Sequence, residues 1–125
     1  MNNITQVVDG ELYDANNDPR ILALRTRAKQ ECARYNQTPA DDAELRTRLL
    51  DSFLGQCGKT ITLEPPFFCD YGPHIRLGEN FYANHNLIIL DAAPVTIGDN
   101  VFIAPNVGIH TSGHPLDYQR RNQGL

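Results

Sequence analysis

Three broad classes of function are argued against by what is missing from this sequence. Its three cysteines, Cys32, Cys57 and Cys69, are odd in number and share no metal-like spacing, so they read as buried or incidental reduced thiols rather than a disulfide framework or a cysteine metal cluster. Positive charge is in deficit: 11 Lys and Arg against 15 Asp and Glu leave a formal net charge of -4, with no basic stripe for nucleic acid. No run approaches the ~20 apolar residues of a membrane span. The start Met1-Asn2-Asn3-Ile4-Thr5-Gln6 lacks the charged region and apolar stretch of a signal peptide. A small cytoplasmic protein is expected, with neither nucleic acid nor membrane as partner.

What the sequence does contain is a repeat. The apolar-x-apolar triads Ile75-Arg76-Leu77, Phe81-Tyr82-Ala83, Leu87-Ile88-Ile89, Val95-Thr96-Ile97, Val101-Phe102-Ile103 and Val107-Gly108-Ile109 recur every six residues, with one two-residue slip at Ala93-Pro94. An amphipathic helix would space its apolar positions by three and four, so a helix cannot produce this pattern. Each triad reads as a very short strand with two side chains inward and one outward. The intervening Gly78-Glu79-Asn80, Ala83-Asn84-His85-Asn86 and Gly98-Asp99-Asn100 supply residues that tolerate left-handed backbone at a corner. The chain is expected to coil as a β-solenoid with three short faces per turn. Six triads make about two turns, fewer than the roughly three units that usually bury a continuous core.

Ahead of the coil, residues 18–54 carry a helical pattern. Asp18-Pro19 reads as an N-cap with proline in the first turn, and Ile21, Leu24, Ala28, Cys32 and Tyr35 follow at steps of three and four. A second start at Thr38-Pro39, with Asp41 and Asp42 in its first turn, leads into Leu45, Leu49 and Phe53. Gly55 and Gly58 end this segment, and Thr60-Ile61-Thr62-Leu63 begins the extended part. The division is thus an N-terminal helical cap over residues 1–58 and a solenoid over 59–125. The helices either only cover apolar edge or also contribute to substrate binding.

Only four histidines are present, His74, His85, His110 and His114. His114 lies in Thr111-Ser112-Gly113-His114-Pro115-Leu116-Asp117, where the sixfold pattern breaks and a side chain escapes the packing rule. It is either a proton-transfer group or a loop residue without a role. His110 follows Ile109 and either fills a corner or points outward. His110-x-x-x-His114 also admits a metal reading. The γ-class carbonic anhydrases hold zinc between subunits of a similar solenoid, but their close histidine pair is one residue further apart and a third ligand would have to be recruited from His85. No metal is expected.

In combination, Arg25-Thr26-Arg27-Ala28, Arg34-Tyr35-Asn36, Glu64-Pro65-Pro66-Phe67, Asp70-Tyr71-Gly72, Asn80-Phe81-Tyr82-Ala83-Asn84, Ile97-Gly98-Asp99-Asn100-Val101, Ala104-Pro105-Asn106-Val107 and Gly113-His114-Pro115 resemble the maltose and galactoside O-acetyltransferases. These are hexapeptide-repeat acyltransferases, and the resemblance runs from Gly10-Glu11-Leu12-Tyr13 to Arg121-Asn122. It implies a left-handed parallel β-helix preceded by a helical hairpin, assembled as a homotrimer with active sites between subunits, using acetyl-CoA to acetylate a sugar hydroxyl.

The residue matching the family's catalytic histidine is His114, as general base, an assistance worth typically about 10²–10⁴ in rate. Asn84 matches the position that stabilises the oxyanion. Acceptor recognition would fall to Asp70, Tyr82 and Asp91 on the coil and to Tyr13, Asp14 and Arg25 ahead of it. Ala92 stands where the galactoside enzymes carry a second acid, which leans the reading toward the maltose branch. Family members continue past the His114 loop into further coils, whereas this sequence stops at Arg120-Arg121-Asn122-Gln123-Gly124-Leu125. A C-terminally truncated chain is expected, its last turn leaving Val101, Ile103, Val107 and Ile109 at an open edge. The competing class is a non-catalytic oligomerisation or binding module in which His114 is a bystander.

Overall fold

The structure, a computed structural model, describes residues 12–125. Two helices come first, α1 (Pro19–Asn36) and α2 (Ala43–Phe53). The strands follow as β1 (Gln56–Cys57), β2 (Ile61–Leu63), β3 (Phe67–Cys69), β4 (Ile75–Leu77), β5 (Phe81–Ala83), β6 (Leu87–Leu90), β7 (Val95–Ile97), β8 (Phe102–Ile103) and β9 (Gly108–His110), with a last short helix α3 (Tyr118–Asn122). Strands three apart pair in parallel and give three sheets, ordered β1-β4-β7, β2-β5-β8 and β3-β6-β9. The chain therefore coils with one sheet per face.

The coil repeats every 20 residues, since Arg76 lies opposite both Gln56 and Thr96, Tyr82 opposite both Thr62 and Phe102, and Ile88 opposite both Phe68 and Gly108. Twenty is two more than three hexapeptides, so the slip at Ala93-Pro94 is not a single event. It recurs one coil earlier, at residues 70–74 between β3 and β4. The triads counted from Ile75 also miss the first coil, where β1 presents Gln56-Cys57 instead of an apolar triad while Ile61-Thr62-Leu63 and Phe67-Phe68-Cys69 keep the six-residue step across Pro65-Pro66. Three rungs per sheet are present rather than two, and the coil starts at Gln56, ahead of the 59 expected.

Alternate side chains of the strands turn inward: Ile75, Leu77, Phe81, Ala83, Leu87, Ile89 and Val95 are all buried. Each large one contributes ~1.5–3 kcal/mol relative to exposure. In the last coil Val101, Ile103, Val107 and Ile109 are partly buried against this core.

At the corners, asparagine and glycine divide the work. Asn80, Asn86, Asn100 and Asn106 adopt positive φ between 54° and 67°, a region that asparagine tolerates better than most residues. Their side chains stack between coils, Asn80 Nδ2 donating to Asn100 Oδ1 at 3.0 Å and Asn86 Nδ2 to Asn106 Oδ1 at 3.1 Å. The glycines are needed instead for close approach. A Cβ on Gly58 would lie 2.5 Å from the Gly78 carbonyl oxygen, and one on Gly78 would lie 2.6 Å from that of Gly98. Since backbone must move to admit it, Gly78→Ala is expected to cost about 2–3 kcal/mol in urea denaturation. Gly113→Ala, which meets nothing within 4 Å, should stay within about 0.5 kcal/mol of the parent protein. Equal effects of the two substitutions would contradict the stacked-corner account.

The helices close the first coil. Asp18 caps α1 by accepting from the Arg20 N–H, with Pro19 in the first turn as expected. The second helix starts later than Thr38-Pro39 suggests: Thr38 Oγ1 donates to the Tyr35 carbonyl at 2.9 Å, and Asp42 is the cap of α2, accepting from Leu45 N–H at 3.1 Å. Ala28, Cys32 and Tyr35 of α1 join Leu50, Phe53 and Leu54 in the core. Asn36 bonds the backbone of Phe67 twice, accepting from its N–H at 2.8 Å and donating to its carbonyl at 3.0 Å. That amide satisfies strand-edge groups which would otherwise be left open.

Candidate active site

The wider corner after the β3-β6-β9 sheet builds the site. Asp91, 0% exposed, turns its carboxylate on three successive backbone donors: Oδ1 accepts from Asp70 N–H at 3.0 Å and Tyr71 N–H at 2.9 Å, and Oδ2 from Gly72 N–H at 2.8 Å. Its backbone carbonyl meets Nδ1 of buried His74 at 2.7 Å. One buried carboxylate thus fixes the shape of residues 70–72. The sequence reading expected Asp91 at the acceptor; the structure places its oxygens beneath the surface, on these backbone donors. Ala92 is buried with Ile21 and Tyr71, and Tyr13, Ala15 and Leu24 pack on this cluster, anchoring the start of α1 to the corner.

Above that corner lies a cavity of about 380 Å³ lined by Leu12, Tyr13, Arg25, Asp70, Tyr71, Leu90, His110, Ser112, Gly113, His114 and Leu125 among others. Burial, and next the Asp91 carboxylate, raise the Asp70 carboxyl above its ordinary pKa, while Arg25 and His110 pull it back. Burial likewise pushes the Tyr71 phenol up, so it remains a neutral hydroxyl. Arg25 donates from Nη1 to the Ala15 carbonyl at 3.1 Å, holding the guanidinium at the wall.

The His114 loop folds back over the same place. Thr111 Oγ1 donates to the Leu90 carbonyl at 2.7 Å and accepts from Ala93 N–H at 2.9 Å, pinning the loop where it leaves β9. Farther on, Asn16 donates to the Gly124 carbonyl at 3.0 Å and Asn17 to the Gln123 carbonyl at 3.4 Å. Asp14 is not part of the lining. Its carboxylate receives the Asn17 N–H at 3.1 Å and the Asn17 side chain at 3.0 Å, shaping the turn that makes those contacts. His114 Nδ1 lies 3.0 Å from the Leu125 backbone oxygen. That backbone oxygen only accepts, so Nδ1 is the donor in this contact, and Nε2 is the ring nitrogen that would act as base in a neutral imidazole.

Asn84 and Tyr82 lie elsewhere. They line a separate groove of about 640 Å³ on the β2-β5-β8 face with Thr62, Phe102 and Pro105, and no lining residue is shared with the His114 cavity. Tyr82 and Phe102 meet edge to face, centroids 6.3 Å apart, and Phe102 is 71% exposed. Asn84 Oδ1 accepts the His85 N–H at 2.8 Å, which leaves the amide NH₂ as the group able to donate outward. His85, the third ligand that a metal reading needs, has its Nδ1 on the Pro65 carbonyl and lines neither depression.

Four of the expected residues therefore converge, Tyr13, Arg25, Asp70 and His114, while Asn84 and Tyr82 form a second surface. Tyr71, Ser112 and His110 complete the cavity wall without having been singled out for it. Their sequence signals are adjacency to Asp70, position at the break in the repeat and, for His110, the four-residue spacing to His114.

The comparisons fit this architecture. Residues 7–58 match the maltose acetyltransferase hexapeptide capping motif. A solved maltose O-acetyltransferase from Clostridium difficile 630 superposes with a TM-score of 0.85 at 44% identity, over 90% of this chain and 59% of that one. The chain belongs to the maltose and galactoside O-acetyltransferase family. Its coil is accordingly the left-handed parallel β-helix of the hexapeptide-repeat acetyltransferases. A hexapeptide-repeat acetyltransferase of Vibrio cholerae O1 biovar eltor, solved in complex with acetyl coenzyme A, aligns at 37% identity and TM-score 0.82 over 100% of this chain and 67% of that one. The galactoside O-acetyltransferase of Escherichia coli K12 is 41% identical over 100 residues, 80% of this chain and 49% of that protein. The chain spans about three fifths of the length of curated relatives it matches, 62% of a Saccharomyces cerevisiae protein and 63% of nodulation protein L from Rhizobium leguminosarum bv. viciae.

Proposed function

We propose that this member of the family transfers an acetyl group from acetyl-CoA to a hydroxyl of a maltose-, glucose- or galactoside-like sugar. The observation that carries this reading is His114, its imidazole oriented by the Leu125 oxygen so that Nε2 is free to accept a proton in a cavity walled by Arg25, Asp70 and Tyr13. The acceptor hydroxyl attacks the thioester carbonyl as Nε2 takes its proton. The tetrahedral intermediate then collapses, the carbon–sulfur bond breaks, and the imidazolium returns the proton to the thiolate. Products are the acetyl ester and free coenzyme A. Asp70 and Tyr13 offer acceptors and donors to the neighbouring sugar hydroxyls, and Arg25 a fixed cation.

Asn84 supports a shared site. His114 and Asn84 belong to separate depressions on different faces of one chain, so they meet only if the groove of one copy covers the cavity of another. A cyclic homotrimer satisfies this at three equivalent contacts. Tyr82 and exposed Phe102 then belong to the covering surface, and the Asn84 amide donates to the oxyanion. Within the N-terminal segment 1–58, α1 acts as cap and cavity wall, since it supplies both Tyr35 to the core and Arg25 to the cavity. A cytoplasmic location accompanies use of acetyl-CoA, and no helix among the described residues is long and apolar enough to cross a membrane.

The test is thiol release from acetyl-CoA with maltose, glucose and a galactoside as acceptors. Acceptor-dependent coenzyme A release is expected. Folded protein that neither binds acetyl-CoA nor releases thiol would overturn the reading in favour of an oligomerisation module built on the Phe102 face.

A further inference from the structure

We propose that the seam between α1 and β3 is a site of reversible oxidation, at which Cys32 and Cys69 join as an intramolecular disulfide. The two thiols face each other across that seam with their sulfurs 3.7 Å apart, and both are free. A disulfide has its sulfurs ~2.05 Å apart. The remaining approach is shared between two side chains that already meet across the seam. The third cysteine has no such neighbour: Cys57 lies on β1, which pairs with β4 in another sheet, and burial pushes its thiol up to about 11.

Access and chemistry set the order of events. Cys32 is 3% exposed while Cys69 is partly exposed, so a small oxidant such as hydrogen peroxide arrives from the Cys69 side. The Cys69 sulfur gives up its proton and takes one oxygen from the peroxide, forming a sulfenic acid and releasing one water. The Cys32 sulfur then attacks the Cys69 sulfur, the S–S bond forms as the S–O bond breaks, and the departing hydroxyl leaves with the Cys32 proton as a second water. Two thiols and one peroxide thus give one disulfide and two waters, and a dithiol reductant reverses the step by exchange. The adjoining Cys32 thiol, and then burial, push the Cys69 thiol up, so the first oxidation step is slow.

The bond would tie two walls of the cavity together. Cys69 is followed directly by Asp70, and Cys32 lies two helical turns beyond Arg25 on α1; Asp70 and Arg25 both line the cavity. The cross-link spans 37 residues of sequence and joins the capping helix to the coil that it closes, so the oxidised form is expected to be the more heat-resistant one. This chemistry holds whether or not acetyl transfer is observed.

The experiment treats the full chain with hydrogen peroxide and follows intact mass, non-reducing peptide maps and thermal unfolding. A mass loss of about 2 Da is expected, with a linked pair of peptides containing Cys32 and Cys69, Cys57 still alkylatable, and reversal by dithiothreitol. The oxidised protein should melt about 5 °C or more above the reduced one. Cys32→Ser and Cys69→Ser should each abolish the mass loss and the shift, and Cys32→Ala serves where a buried hydroxyl disturbs the core. Sulfinic acid accumulating at Cys69 beside an intact Cys32 thiol would overturn the proposal. Disulfides to Cys57 or between copies would do the same, as would both thiols staying free in folded protein under peroxide that oxidises them in urea.

Discussion

Replacing His114 with alanine is expected to lower kcat/KM for acetyl transfer by about 10²–10⁴, the usual worth of a positioned general base. Stability should hardly change, within about 0.5 kcal/mol, because the side chain is exposed and makes a single backbone contact through Nδ1. That combination separates loss of a catalytic group from loss of the fold. Asn84→Ala should also be weak, through the missing oxyanion donor. If the site is shared between copies, co-refolding the two inactive variants in equal amounts should restore about a quarter of the parent activity, since that fraction of interfaces joins an intact His114 to an intact Asn84. No recovery from mixed assemblies of demonstrated heterogeneity would place both residues in one chain's site and contradict the separation of the two depressions. A His114→Ala protein as active as its parent would remove the general-base assignment altogether.

The largest effect on stability is expected at Asp91. Alanine there strands the N–H groups of Asp70, Tyr71 and Gly72 around a buried gap, and each unsatisfied donor costs about 1–3 kcal/mol. Relaxation and water entry recover part of this, so Asp91→Ala should lose about 3–5 kcal/mol in urea denaturation. Asp91→Asn keeps one acceptor oxygen but points an NH₂ at a donor that now meets Oδ1 or Oδ2, and about 2 kcal/mol is expected. Amide exchange should speed up at residues 70–72 before it does in β4 or β5. Because Asp70 lines the cavity, Asp91→Asn should also raise the acceptor KM more than it lowers kcat. An Asp91→Asn protein with the parent midpoint and unchanged exchange at those three amides would show that the carboxylate does not organise the corner.

Much of the coil was legible without coordinates because its signal is local and periodic. Ile75, Leu77, Phe81, Ala83, Leu87 and Ile89 alternate with outward residues, and all six are buried. The asparagines at the corners carry their conformational preference with them, and four adopt positive φ. The first coil was harder to read, since Gln56-Cys57 has no apolar triad and is recruited into a strand only by pairing with Arg76-Leu77. The start of α2 moved for a similar reason: Thr38 has a better use closing α1 through the Tyr35 carbonyl than opening a new helix.

The candidate site was legible in part. His114 stood out because it breaks a strict repeat, and Tyr13, Arg25 and Asp70 were reached through resemblance; the structure brings these four to one cavity. Asp91 and Asp14 look like ligand-binding carboxylates in a sequence, and nothing local distinguishes them from Asp70. Their hydrogen bonds do: Asp91 spends its oxygens on three buried backbone amides and Asp14 on Asn17.

By itself, then, the sequence determined the periodicity, the positions of the inward side chains, the left-handed corners and the histidine at the break, all of which follow from residue identity over a few neighbours. The tertiary structure decided the length of the coil, the burial of Asp91, the approach of Cys32 to Cys69 and the separation of Asn84 from His114. Each of these depends on groups about 20 or more residues apart being brought within hydrogen-bond or van der Waals reach, or held on opposite faces, by the 20-residue circuit of the coil and the helices packed on it.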